Sequence, residues 1–206
     1  MKVSKQSARS AITQQALIDA ALEVIAEVGL SAATTDRFAR RAGVSRGAML
    51  HHFPTREDII LAAMMHLLRA QTEEIRSKVN DVNQGLMPLS DLLDFLWAVL
   101  SGRFFYLSLE MVTEARTNPS FHQKMLPVIA DFHRALDAIW SSLPNDTKLS
   151  PHHTTVVLNL TICLLRGMGV QTVLRSDAGY YSELLGYWKQ LLPSLLSGQS
   201  QAMSSA

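Results

Sequence analysis

Apolar residues recur at helical spacing along nearly the whole chain, and no run shows the two-residue alternation of a half-buried strand. Between Thr13 and Glu27, Leu17, Ala21, Val24 and Ile25 fall on one stripe that Val28 extends, and Gly29 supplies a stop. A second, shorter stripe of Phe38, Ala39 and Ala42 follows Thr35, an N-cap residue with Asp36 in the first turn, where a negative charge suits the helix dipole. Ala42-Gly43-Val44-Ser45 breaks this stripe with a glycine and a capping serine, and Met49 and Phe53 resume it on a third helix. Thr55 and Asp58 form a variant capping box for a long helix that carries Ile59, Ile60, Ala63, Met64, Leu67 and Leu68 toward Val79. After a polar break at Asn80 to Pro88, helices are predicted from Ser90 or Asp91 to near Gly102 and from Arg103 to Thr117. Asn118-Pro119 opens another that reaches Ser142, with Pro127 expected to kink or split it. Beyond a loop at Leu143-Pro144-Asn145-Asp146, Ser150-Pro151 opens a helix to Arg175, and Ser176-Asp177 opens the last, with Leu184, Leu185, Trp188, Leu191, Leu192 and Leu195. The pattern predicts an all-α chain.

The helix from Pro151 to Arg175 is apolar on nearly every side, so it needs cover on several sides. One cover is its own domain; a second is a partner subunit, with Leu164, Gly167 and Met168 of this helix and Leu184, Trp188 and Leu191 of the last at a homodimer interface. Gly167 and Gly169 would admit a close backbone. The alternative is a central helix of a monomer. The stretch from Thr155 to Leu174 approaches membrane-spanning length, but Asn159, Arg166 and Gln171 interrupt it. An arginine near the middle of a span costs about 2.5–3.5 kcal/mol, so no membrane partner is expected.

Charge changes the picture at one place. The formal net charge of +1 hides a sorting: Arg37, Arg40, Arg41, Arg46, His51, His52 and Arg56 crowd the short-helix corner, where Asp36 is the only acid before Glu57. A basic face on a short two-helix unit is the footprint of a phosphate backbone. The run AGVSRGAMLHHFPTRED strongly resembles the DNA-binding signature of TetR-family transcription regulators, with Gly43, Val44, Ser45, Gly47, His52, Phe53 and Glu57 in register. Leu50 stands where the family commonly has tyrosine, and Ala48 where it has a small polar residue.

The resemblance implies an N-terminal three-helix DNA-binding domain over residues 1–54 and a helical ligand-binding and dimerisation domain over 55–206, with 55–79 as the connecting helix. It implies that Arg46 reads a guanine edge, that Gly47 permits close approach and that the Ala48 methyl meets a thymine methyl. Ser45, Leu50 and His51 belong to the same reading surface, while Thr35, His52 and Arg56 hold phosphates. The partners implied are a double-stranded DNA operator, a second copy of the chain and a small-molecule effector. The resembled pocket, taken with a set of aromatic and polar side chains, points to Trp97, Phe104, Phe105, Met111, Phe132 and Trp140 beside Glu110, Glu114, His133 and Asp137 for a mostly apolar ligand. Each aromatic taken alone is also a core residue, and Glu110 and Glu114 also suit structural ion pairs.

Other chemistry finds little support. The chain has no nucleophile elbow, P-loop, zinc-protease helix or complete dinucleotide fingerprint, so no enzyme and no cofactor are expected. Adjacent histidines at 51–52 and 152–153 chelate poorly, and the His133/Asp137 spacing lacks a third ligand, so no metal is expected. Cys163 is the single cysteine, which excludes an intrachain disulfide, and its apolar helix predicts an inert buried thiol. The opening MKVSKQSARS lacks the apolar core of a signal peptide, which fits a cytoplasmic protein. Lys2, Lys5 and Arg9 are expected in a polar arm. A helical protein-interaction adaptor that uses the same motif without specific DNA binding is the alternative function.

Overall fold

The computed structural model describes residues 5–143 and 151–197, and all regular structure among them is helical. The helices are α1 (Lys5–Ala32), α2 (Thr35–Arg41), α3 (Arg46–His52), α4 (Arg56–Asn83), α5 (Leu89–Leu100), α6 (Arg103–Thr117), α7 (Pro119–Ser141), α8 (Pro151–Gln171) and α9 (Ala178–Leu196). The expected arm is shorter than predicted: α1 begins at Lys5 and takes in Arg9, while Lys2 lies outside the described residues. Ser150 and the loop after Leu143 lie outside them too.

Two compact units interleave along the chain. The first is Met1–Ala70 with Tyr106–Asp131, and the second is Gln71–Phe105 with Phe132–Ala206.

In the first unit, the α1 stripe is buried as its spacing predicts, with Leu17, Ala21 and Ile25 essentially inaccessible. Gly29 breaks the helix with φ 75°, a left-handed conformation that costs a side-chain-bearing residue about 1–2 kcal/mol. The backbone N–H of Leu30 that this kink exposes donates to Oε2 of Glu110 on α6 at 2.7 Å. The carbonyls left over at the same end accept from Arg56, whose Nε reaches Ala33 O at 2.7 Å and whose Nη2 reaches Leu30 O. Thr34, and not Thr35, caps α2: its hydroxyl accepts from Arg37 N, and Thr35 is already the first helical residue. The α4 capping box is present, with Asp58 N donating to Thr55 Oγ1 at 3.1 Å and Thr55 N donating to Asp58 Oδ2 at 2.9 Å. Glu57 beside it accepts from Lys124 at 2.6 Å and from the Asn118 amide at 3.3 Å, contacts that hold its carboxyl below the usual range. Asn118 also caps α7, as predicted, by accepting from Phe121 N at 3.1 Å. Helix α7 runs through Pro127 without a split.

In the second unit, Leu92, Leu93, Leu96 and Leu100 of α5 face Leu158, Leu165 and Met168 of α8, and all are buried. Gly169 sets the closeness of that pair: a β-carbon there would overlap the carbonyl oxygen of Leu100 and press on the Phe105 ring at 3.0 Å. Helix α9 adds Tyr181, Leu185 and Leu192, and its Trp188 indole donates to the buried hydroxyl of Thr161 at 3.2 Å. Asp177 caps α9 by accepting from Tyr180 N at 3.0 Å.

Candidate nucleic-acid interface

The corner between α2 and α3 is built by a turn glycine and a capping serine. Gly43 has φ 68° with open space around it, and Ser45 turns its hydroxyl to accept Ala48 N at 3.1 Å, closing the first turn of α3. Phe38, Met49 and Phe53 are buried, which fixes the rotation of α3 about its axis. The remaining positions therefore face outward. Ser45, Arg46, Gly47, Leu50 and His51 are exposed, and Ala48 and His52 are half-buried. The Arg46 side chain is 66% exposed, with Nε 3.4 Å from Asp36 on α2, a loose tie in water that leaves its guanidinium donors available. The His51 and His52 rings meet edge to face at 5.5 Å. Arg37 and Arg40 are also exposed, and they border a shallow groove of about 380 Å³ between α1 and α2.

Two arginines of the basic corner are tied up by groups of α1 and its end. Arg41 is forked between Glu23 and Glu27 on α1, at 2.9 Å and 2.5–2.8 Å, and these carboxylates push its guanidinium pKa further up. Arg56, expected to hold a phosphate, here donates its guanidinium to the carbonyls at the end of α1. Thr35 is half-buried in the first turn of α2. What remains is a seven-residue helix presenting one guanidinium, one imidazole, a glycine and a leucine, flanked by two exposed arginines. A helix of that width fits a major groove, and flanking cations suit phosphates. Sequence reasoning missed the Arg41 fork, although Glu23 and Glu27 at i, i+4 on α1 offered adjacent carboxylates as its signal.

The side chains expected to line one ligand pocket fall in both units of the chain. Glu110, Met111 and Glu114 belong to the first unit, whereas Trp97, Phe104, Phe105, Phe132, His133, Asp137 and Trp140 belong to the second. Glu110 is held by Leu30 N, and Glu114 accepts from the Asn118 amide at 3.0 Å. Each answers an amide near a helix end. Phe105, Met111 and Trp140 are core residues at 0–1% exposure, Phe104 and Phe132 are half-buried, and His133 and Asp137 lie on the exposed side of α7. Asp137 accepts from the Asn159 amide at 3.3 Å. Trp97 alone of the set borders the cleft between α5 and the start of α9.

The residues expected at a subunit interface divide by the phase of α8. Val156, Leu160, Leu164 and Gly167 face outward together, as do Tyr187 and Leu191 on α9, and Leu184 and Trp188 are half-buried. Met168 departs from the outward row: one turn beyond Leu164, it is 5% exposed and lies at the edge of the buried side of α8. Cys163 is a correction, exposed beside Leu160 and Gly167 rather than buried. By length and composition alone, His152–Gln171 is long and apolar enough to cross a bilayer, yet it packs on α5 and α9.

Comparison with known proteins places this geometry. A family model described as bacterial regulatory proteins, tetR family, matches residues 17–63, the span from mid-α1 into α4. The HTH-type transcriptional regulator CymR of Pseudomonas putida is 27% identical over 172 residues, covering 84% of this chain and 85% of CymR. Among solved structures, a putative TetR-family transcriptional regulator from Mesorhizobium loti superposes with a TM-score of 0.73 at 17% identity, covering 91% of this chain and 96% of its own. The multidrug binding protein EbrR, solved with ethidium, superposes with a TM-score of 0.61 at 22% identity, covering 85% and 96%.

Proposed function

We infer the finer function from one premise: the chain belongs to the TetR family of bacterial regulatory proteins, which bind DNA to regulate transcription and are not enzymes. The protein is a ligand-responsive repressor that acts in the cytoplasm. It holds an inverted-repeat operator as a homodimer and releases it when a small, mostly apolar molecule binds. Residues 1–54 are the reader, and residues 55–206 carry the ligand and dimer functions through the connecting helix α4.

One observation carries the DNA-reading part: Arg46, Gly47, Leu50 and His51 form an outward row on a helix whose other side is locked by buried Met49 and Phe53. In this role Arg46 pairs with a guanine edge, and Gly47 lets the backbone approach. Ala48 and Leu50 offer apolar contact to thymine methyls, and His51 meets a base or a phosphate. The Thr35 and Ser45 hydroxyls and His52 hold phosphates, with Arg37 and Arg40 supplying positive field. The homodimer reading is supported by the outward apolar row Val156, Leu160 and Leu164 with Tyr187 and Leu191, which water would otherwise cover. Effector binding acts by shifting the spacing of the two readers, a coupling of about 1–3 kcal/mol. The ethidium held by EbrR shares the aromatic character expected of that effector, although it is a cation.

The test begins with operators selected in vitro from random duplexes. Arg46→Ala should lower affinity for the selected operator about tenfold or more while changing a scrambled duplex far less. Equal losses on both duplexes would refute base reading by Arg46. Compounds that release the native operator complex then identify the effector, and tight binding that leaves operator affinity unchanged would refute the regulatory role of the ligand.

A further inference from the structure

Carboxylates meet the arginines of the α2–α3 corner in two different ways. Glu23 and Glu27 occupy the forked end of Arg41, with Nη1 at 2.9 and 2.8 Å and Nη2 at 2.5 Å, so that guanidinium is committed within the chain. Asp36 instead approaches Arg46 at Nε, with Oδ1 3.4 Å away, and the Arg46 side chain stays 66% exposed. An acceptor at Nε leaves the end of the fork, the two Nη groups, for a further bidentate partner.

Asp36 is itself 53% exposed, and it is the only acid of the basic corner before Glu57. For phosphate binding alone it is a liability, because a carboxylate within a Debye length of a DNA backbone, about 8 Å at physiological salt, repels it. Its place in the first turn of α2 suits the helix dipole, but that role does not call for an arginine of α3 beside it. In water the pair is loose; where a DNA groove excludes water, the same attraction grows stronger. A long side chain already steadied by a neighbour also gives up less rotamer freedom when it meets its base.

We propose that Asp36 is a positioning residue for sequence reading: its carboxylate holds the Nε side of Arg46, so that the two Nη groups meet a guanine edge end-on. This rests on the reading of Arg46 as the guanine reader, and it adds a residue on α2 that sets how sharply Arg46 discriminates.

The experiment uses the full chain, the operator selected in vitro, and copies in which symmetry-related guanines are replaced in pairs by 7-deazaguanine, which pairs normally but lacks the N7 acceptor. With the native chain, one such pair should lower affinity about tenfold or more, and Arg46→Ala should abolish that dependence. Asp36→Ala should shrink it to about threefold or less, while affinity for a scrambled duplex rises because a repelling charge is gone. Asp36→Asn, with an acceptor oxygen at the same reach, should keep a dependence between those of the native chain and Asp36→Ala. Melting temperature and circular dichroism establish that each variant is folded. An Asp36 that serves only the fold would shift both forms of the operator alike and leave their ratio unmoved, which would overturn the assignment. A changed preference at a cytosine, with the guanine dependence intact, would overturn it too, since Asp36 would then read a base itself. If no guanine depends on Arg46, the guanine-reader assignment fails and this one falls with it. A guanine that depends on Arg46 and not on Asp36 overturns the positioning role alone.

Discussion

Arg46 and Arg56 belong to one basic run in the sequence, yet their guanidinium groups do opposite things. Met49 and Phe53, buried by an apolar spacing visible in the sequence, aim Arg46 outward, so its position was legible. The fate of Arg56 depends on where the end of α1 falls, 23–26 residues earlier, and no local pattern reports that. The same holds for Glu110, whose partner Leu30 is 80 residues away. Arg56→Ala would remove charge-assisted hydrogen bonds from two part-buried carbonyls, leaving Leu30 O with only the Ala33 N–H at 3.2 Å, with an expected cost of about 1.5–3 kcal/mol. Melting temperature should fall, while the slope of log affinity against log salt on a fixed duplex should stay unchanged, because no phosphate contact is lost. A slope flattened by about one would show that Arg56 leaves the α1 end to hold a phosphate.

Helix α8 shows what periodicity leaves open. A helix apolar nearly all round announces that it is covered, but it has no polar face to fix its rotation, so the sequence could not separate Met168 from Leu164 or place Cys163. The rotation is set by contact: Gly169 is the point where α5 backbone and the Phe105 ring come closest. That glycine was expected to admit a neighbouring backbone, and the neighbour is α5 of its own chain. Helix ends, by contrast, were written in the sequence wherever a cap was followed by its partner, as at Thr55 with Asp58 and at Asn118 with Phe121 N. Gly169→Ala must push α5 and α8 apart and should destabilise the protein by about 1–3 kcal/mol or more. Gly186→Ala on α9 is the control: with open space around it, it should gain about 0.5–1 kcal/mol from helix propensity. Thermal melts of the two variants should move in opposite directions, and equal downward shifts would refute the assignment of Gly169 as the tight point.

At the scale of the whole molecule, specificity has to come from more than one copy of α3. A seven-residue helix offers one bidentate guanidinium and a few apolar contacts, and each good base contact is worth about 1–3 kcal/mol. Two copies held at a fixed separation turn the second contact into an intramolecular one, which raises affinity by a factor of about 10²–10⁴ without any new interaction. In the proposed homodimer, the fixed separation is the task of the outward row on α8 and α9. Leu160, 57% exposed, sits near the middle of the α8 row, and Leu160→Glu places a carboxylate where a partner's apolar surface would have to desolvate it. The variant should sediment as a monomer with unchanged helix content. Its affinity for an isolated half-site should match the native chain, and its affinity for the full inverted repeat should fall about a hundredfold or more. A variant that stays dimeric, or a monomeric one that keeps full operator affinity, would show that the two readers are spaced by some other surface.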